Sequence, residues 1–276
     1  MTMTDTLAEH ADAELRRGEP LIEMREIGKS YGAIRALRGI NLRVNAGEVA
    51  CVLGDNGAGK STLIKIMSGL HPHNEGSLKV DGKELTFASP REALDHGIAT
   101  VYQDLAVVSL MEVWRNFFLG AELTSGKFPL AGLKIKEMRE ITDRELRKMG
   151  IVVKDINQPI GTLSGGQRQC VAIARAVFFG ARVLILDEPT AALGVKQSGV
   201  VLKYITAAKE AGFGVVFITH NPHHAHMVGD HFVLLNRGKQ KLDCTYDEID
   251  LEHLTQEMAG GDELQALSHE LRGKGA

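Results

Sequence analysis

The stretch that most constrains this chain is Gly54-Asp55-Asn56-Gly57-Ala58-Gly59-Lys60-Ser61. It follows the apolar run Val49-Ala50-Cys51-Val52-Leu53, which reads as a buried strand, and precedes Thr62-Leu63-Ile64-Lys65-Ile66-Met67, which reads as a helix. Strand, glycine-rich loop and helix start are the setting a phosphate-binding loop needs. The glycines let backbone N–H groups turn inward around an anion. The helix start adds unpaired donors and a partial positive charge. Lys60 is placed to reach the β- and γ-phosphates of a nucleoside triphosphate, and Ser61 to ligate Mg²⁺.

Two further segments narrow the chemistry. Leu163-Ser164-Gly165-Gly166-Gln167-Arg168-Gln169 precedes the alanine-rich segment Cys170–Ala176. Ser164 is a good helix N-cap, and the two glycines free N–H groups for an anion, so the chain carries a second phosphate-binding helix start. Val183-Leu184-Ile185-Leu186-Asp187-Glu188 then reads as a buried parallel strand with paired carboxylates at its C-terminal edge. Asp187 is placed to hold Mg²⁺, and Glu188 to polarise an attacking water.

Together these segments resemble the nucleotide-binding domain of ATP-binding cassette (ABC) transporters, from about residue 21 to about residue 245. The resemblance implies an α/β P-loop NTPase cassette: a mainly parallel core sheet, an antiparallel β lobe and an inserted helical subdomain. It implies ATP and Mg²⁺ as ligands, and it assigns further residues. Tyr31, in Lys29-Ser30-Tyr31-Gly32, matches the aromatic that stacks on adenine. Gln103, in Val101-Tyr102-Gln103-Asp104, matches the glutamine that senses Mg²⁺ and the attacking water. His220, after Val216-Phe217-Ile218-Thr219, matches the histidine that contacts the γ-phosphate. Gly54 to Thr62 with Tyr31 would then hold the nucleotide from one side, and Ser164, Gly165, Gly166 and Gln167 from the other. Gly194 stands where the family commonly has an aspartate that speaks across the dimer.

Within the family, Ala191-Ala192-Leu193-Gly194-Val195-Lys196, Arg115–Gly120 and Leu235–Lys239 look like the monosaccharide importers. With one phosphate loop and one signature, the chain most resembles the single-cassette, fructose-type form. The expected function is ATP hydrolysis that energises sugar uptake. The other readings weighed are an exporter ATPase, a non-transport cassette protein of DNA repair or translation and, within import, the ATPase of another solute importer. The sugar-like segments argue against the first, and the lack of coiled-coil, zinc or tandem-cassette insertions against the second.

Composition and patterning set bounds. The chain has 276 residues, 44% hydrophobic and 24% charged, which is ordinary for a globular protein. A net charge of −3 gives no global basic field for nucleic acid. The apolar runs are far shorter than the ~20 residues that span a bilayer. The expected location is the cytoplasmic face of the cell membrane, as a peripheral subunit. Residues 1–20 read as a disordered extension without a secretory signal, 21–259 as the nucleotide-binding domain with a helical subdomain over about 104–175, and 260–276 as a weak tail. Cys51, Cys170 and Cys244 have no metal spacing and read as reduced core thiols. Short strands are expected over about 21–44, extended by Gly76–Val80 and the Asp81-Gly82 turn, and an amphipathic helix over Lys136–Met149. His223 and His226 would share a helix face and invite a zinc hypothesis, which the helix-opening Asn221-Pro222 turn and the nucleotide role of His220 outweigh.

A lone cassette cannot close its own site. The phosphate loop and the signature meet only when a second copy binds head to tail, with ATP between Lys60 of one chain and Ser164-Gly165-Gly166 of the other. The expected partners are that second copy, transmembrane permease subunits and, indirectly, an extracytoplasmic sugar-binding protein. The segment after Gln103, including Leu105–Trp114, is apolar for a loop and is expected to dock on the membrane partner.

Overall fold

A ten-stranded sheet organises the chain, in a computed structural model that describes residues 17–126 and 132–259. The expected tail from residue 260 lies outside the described residues, as does most of the expected 1–20 extension. Arg17 and Gly18 are tied to the core: Gly18 N donates to Ala46 O at 3.0 Å and Arg17 Nη2 to Glu210 O at 2.7 Å.

Strands β1 (Pro20–Tyr31) and β2 (Ile34–Asn45) pair antiparallel. Strand β3 (Val49–Leu53) leads through the phosphate loop into helix α1 (Lys60–Met67). The hairpin of β4 (Glu75–Val80) and β5 (Lys83–Leu85) extends β1, and α2 (Pro90–Asp95) and β6 (Ile98–Val101) follow. The inserted lobe holds α3 (Val113–Phe118), the short strands β7 (Thr124–Ser125) and β8 (Gly132–Leu133), α4 (Ile135–Lys148) and α5 (Gly165–Phe178). The chain returns to the core through β9 (Val183–Asp187), α6 (Val195–Glu210), β10 (Gly214–Thr219), α7 (Pro222–Val228), β11 (His231–Asn236), β12 (Lys239–Thr245) and α8 (Leu251–Met258).

The sheet order is β5-β4-β1-β2-β12-β11-β3-β10-β9-β6. Strands β11, β3, β10, β9 and β6 are mutually parallel, whereas β5, β4, β1 and β2 form the antiparallel edge. The five residues of β3 are all fully buried, and they alternate between two cores. Val49, Cys51 and Leu53 face a cluster that includes α5, α6 and the inserted lobe. Ala50 and Val52 face a cluster built with α1 and the antiparallel lobe. Burial on both faces is what a central parallel strand requires, and it explains the unbroken apolar run. It also fixes where the loop after Leu53 leaves the sheet, at the C-terminal edge where α/β folds bind ligands.

Two expectations need correction. The strands over 21–44 are not short: β1 and β2 have twelve residues each, and register shifts near Glu26 and Lys29 accommodate the glycines that interrupt the sequence pattern. The helical subdomain expected over about 104–175 is not wholly helical. It contains the β7–β8 ladder and an irregular stretch up to α3. The apolar loop after Gln103 divides. Val113 and Trp114 are buried, Leu105 and Val107 pack against the core, while Val108 and Leu110 are exposed, Leu110 at 91%. Helix α4 buries Met138, Thr142, Glu145 and Leu146, the spacing of one helical face.

Candidate functional site

The phosphate loop is held open by its glycines. Gly54 lies at φ +142, and a Cβ there would come within 2.4 Å of Leu235 O. Gly59, at φ +112, caps α1 without any side-chain cap, so the first-turn N–H groups are left for a ligand. A Cβ on Gly57 would meet nothing within 4 Å, on the open side of the loop. The Lys60 ammonium folds back on the carbonyls of Gly54 and Asp55.

A cavity of about 430 Å³ is lined by Asp55, Asn56, Gly57, Gly59, Lys60, Ser61 and Thr62 of the loop, together with Gln103, Asp187 and Glu188. The carboxylates reach it because β9 is parallel to β10, and β10 to β3, so all three strands end on the same edge. Glu188 sits just past β9 at φ +48, a conformation that disfavours side chains other than glycine, Asn or Asp. Its Oε1 is 3.8 Å from Lys60 Nζ and 2.9 Å from His220 Nδ1. Its Oε2 is buried and has no partner among the described residues. A buried carboxylate oxygen without a partner is costly unless a ligand or water completes it. Burial, and after it the charge of Glu188, push the Asp187 carboxyl above its ordinary value, while Lys60 opposes them.

Oxygen donors of Ser61, Gln103 and Asp187 border this cavity, a donor set that suits a hard divalent cation. Tyr31 does not line it. Its ring packs edge-on against His71 at 5.6 Å, with Lys29 Nζ 5.2 Å from its centroid. Ile34, Arg35 and Ala36 line the cavity, and Arg237 and Gly238 line it beside Ala36. The sequence did not place these five at the nucleotide site.

The signature residues Ser164, Gly165, Gly166 and Gln167 do not line this cavity either. They open α5 with a reciprocal cap: Ser164 Oγ accepts from Gln167 N at 3.2 Å, and Gln167 Oε1 accepts from Ser164 N at 3.0 Å. The two glycines permit close packing with the start of α6. A Cβ on Gly165 would lie 2.7 Å from Leu193 Cδ2, and one on Gly166 3.2 Å from Gln197 Cβ. Ser164→Ala removes half of the reciprocal cap and is expected to cost about 1 kcal/mol of stability. Nucleotide affinity of the isolated monomer should be unchanged, which denaturation and calorimetry on the same preparation would check.

Gly194 is the N-cap of α6 at φ −69 and has no side-chain cap. A Cβ would meet nothing within 4 Å, so neither backbone nor packing demands glycine there. The histidines after β10 do not converge on a metal: no group of three or more His, Cys, Asp or Glu with metal-binding geometry exists among the described residues. Instead Asn221 caps α7, His224 Nδ1 lies 3.0 Å from Thr190 Oγ1, His226 stacks on Phe232, and His231 Nε2 is 2.5 Å from Asp243 Oδ1. Cys51 and Cys170 are buried, and burial pushes the Cys170 thiol up to about 12.

The fold is that of an ATP-binding cassette. Residues 37–191 match the family model described as ABC transporter, and the chain belongs to that family of ATP-hydrolysing proteins. It is 44% identical over 238 residues to the xylose/arabinose import ATP-binding protein XylG of Sulfolobus acidocaldarius, covering 86% of this chain and 93% of that protein. It is 41% identical over 227 residues to the fructose import ATP-binding protein FrcA of Rhizobium meliloti, covering 80% and 87%. The chain spans about half the length of the ribose import ATP-binding protein RbsA of Bacillus subtilis, 48%, at 34% identity over 87% of this chain. Among solved structures it matches a dimeric ATP-binding cassette in a post-hydrolysis state bound to ADP and Pi, with a TM-score of 0.68 and 26% identity over 82% of this chain and 98% of that one. No helix among the described residues is long and apolar enough to cross a membrane.

Proposed function

We propose that this chain is the ATP-hydrolysing subunit of an importer for a monosaccharide such as fructose, ribose or xylose, acting peripherally at the cytoplasmic face of the membrane. The observation that carries the reading is the gathering of Lys60, Gln103, Asp187 and Glu188 around one cavity, in a chain similar over 86% and 80% of its length to two sugar-import subunits. Lys60 and the α1 N–H groups bind the phosphates. Glu188, with Oε2 facing no donor among the described residues and Oε1 against His220, takes a proton from the attacking water. Ser61, Gln103 and Asp187 would hold Mg²⁺, which supplies charge for the phosphates and orients them.

Each nucleotide is sandwiched between two copies of the chain. The α1 and α5 helix starts are the anion-binding ends, and only the first borders the Lys60 cavity. A second copy placed head to tail would add Ser164, Gly165 and Gly166 to the open side. The permease docks in the larger cleft, about 810 Å³, where Tyr102, Leu105, Ala106 and Val107 face Ala172 and Phe179 of the signature-helix region. That position joins the segment after Gln103 to the helix that contacts the partner's nucleotide. A sugar-binding protein would act only through the permease.

A mixing experiment tests the shared site. One chain carries Lys60→Ala and the other Gly165→Asp, each with Glu188→Gln so that bound ATP is retained. Each homodimer has two damaged sites, whereas the heterodimer places both defects in one site and leaves the other whole. The mixture should retain roughly one labelled ATP per heterodimer, as opposed helix starts require. Heterodimers confirmed by differential tagging that retain no more ATP than either homodimer would refute the arrangement.

A further inference from the structure

The turn between β11 and β12 has the wrong residue for its shape. Asn236 pairs with Lys239, so Arg237 and Gly238 form a two-residue hairpin loop. Their φ angles are +48 and +75, left-handed at both positions. Turns of this kind favour Asn, Asp or Gly at the first position, because other side chains crowd the backbone there. The β4–β5 turn provides an internal comparison. It joins Val80 and Lys83 through Asp81-Gly82, at φ +50 and +74, with the favoured pair of residues. The same chain therefore follows the rule at one hairpin and breaks it at the other. The two turns differ in surroundings, since Arg237 and Gly238 line the phosphate-loop cavity.

The turn is also fixed against the loop. Gly238 N donates to Ala58 O at 2.9 Å, and Arg38 N donates to Gly238 O at 2.8 Å. A Cβ on Gly238 would stand 2.3 Å from Ala36 O, and the missing Cβ of Gly59 would stand 3.5 Å from Gly238 Cα. These contacts set Arg237 at the Ala36–Gly59 side of the cavity. Glu188, 3.8 Å from Lys60 Nζ and 2.9 Å from His220 Nδ1, marks the γ-phosphate end in the reading given above. Backbone strain in a non-glycine residue persists where something else over-determines it, and such residues cluster at ligand sites.

We propose that Arg237 is a nucleotide-binding residue whose guanidinium engages the sugar and α-phosphate end of ATP or ADP. This rests on the phosphate-loop reading given above and adds to it the residue that holds the nucleoside end. A guanidinium suits that place, because it offers several donors in a fixed fork to phosphate and hydroxyl oxygens.

Arg237→Asn is the discriminating variant, because Asn suits the turn better than Arg and lacks the cation. Calorimetric titration with ATP and with ADP, both in EDTA to prevent hydrolysis, should show Kd raised about 5-fold for each, less than for a fully buried charged contact because Arg237 is exposed. Thermal unfolding without nucleotide should give a Tm equal to or above wild type. Wild-type affinity in Arg237→Asn, a loss confined to ATP, or a loss accompanied by a lower Tm would each overturn the proposal. The phosphate-loop reading fails separately, if Lys60→Ala binds both nucleotides as the wild type does.

Discussion

In MgATP, the Glu188→Gln protein elutes as a dimer and hydrolyses ATP about 10²–10⁴-fold more slowly than the wild type, the usual span for loss of a general base. The substitution keeps the volume of the side chain and one oxygen for His220 to meet at the 2.9 Å separation seen for Oε1. It removes the basicity of the buried oxygen that has no partner among the described residues. Binding is spared, because Lys60, Ser61 and Thr62 are untouched and the α1 helix start is intact. With ATP bound and the releasing reaction blocked, the two copies stay closed on the nucleotide. Size-exclusion chromatography with and without ATP, beside a phosphate-release assay, reads both effects. A variant that remains monomeric in ATP and hydrolyses it at near wild-type rate would remove Glu188 from the role of base.

Much of this site is legible in the chain because each part is local. Val49–Leu53 is a complete both-faces-buried strand, and the run alone marks it. Ser164 and Gln167 stand at the spacing of a reciprocal cap, so the start of α5 follows from two residues. Asp187 and Glu188 end an apolar run, and parallel strands bring such ends to one edge. What the sequence does not disclose is what depends on distant register. Arg237 lies well over a hundred residues beyond the loop it borders, and the pairings of β11 with β3 and of β12 with β2 carry it there. A local signal existed all the same: an arginine before glycine between two strands, where a two-residue turn favours Asn or Asp. Ile34 to Ala36 enter the cavity because β2 continues past the glycines that make the region look broken. The β7–β8 ladder is hidden for another reason, since two-residue strands have no periodicity to detect.

Lys60→Ala protein should bind ATP at least ~100-fold more weakly and show no measurable turnover, given that a charge-assisted contact to phosphate in a partly buried site is worth a few kcal/mol. Lys60 is 8% exposed, which an ammonium tolerates only with strong partners. Those partners are the carbonyls of Gly54 and Asp55 and, at 3.8 Å, Glu188. The same cation thus serves the loop, the base and the incoming phosphates. Alanine leaves the loop carbonyls without their donor and the Glu188 carboxylate without its nearest ammonium, so charge repulsion toward ATP adds to the lost attraction. Two measurements separate this from simple unfolding. Without nucleotide, the variant should melt cooperatively and keep its far-UV signal, because the β3 core does not include the ammonium. With ATP in EDTA, the wild type should gain stability as RT ln(1 + [L]/Kd), about 2.7 kcal/mol at a hundred times Kd, and the variant should gain almost none at that concentration. A folded Lys60→Ala protein that shows the full ATP-dependent rise in Tm would mean that ATP binds away from the Gly54–Ser61 loop.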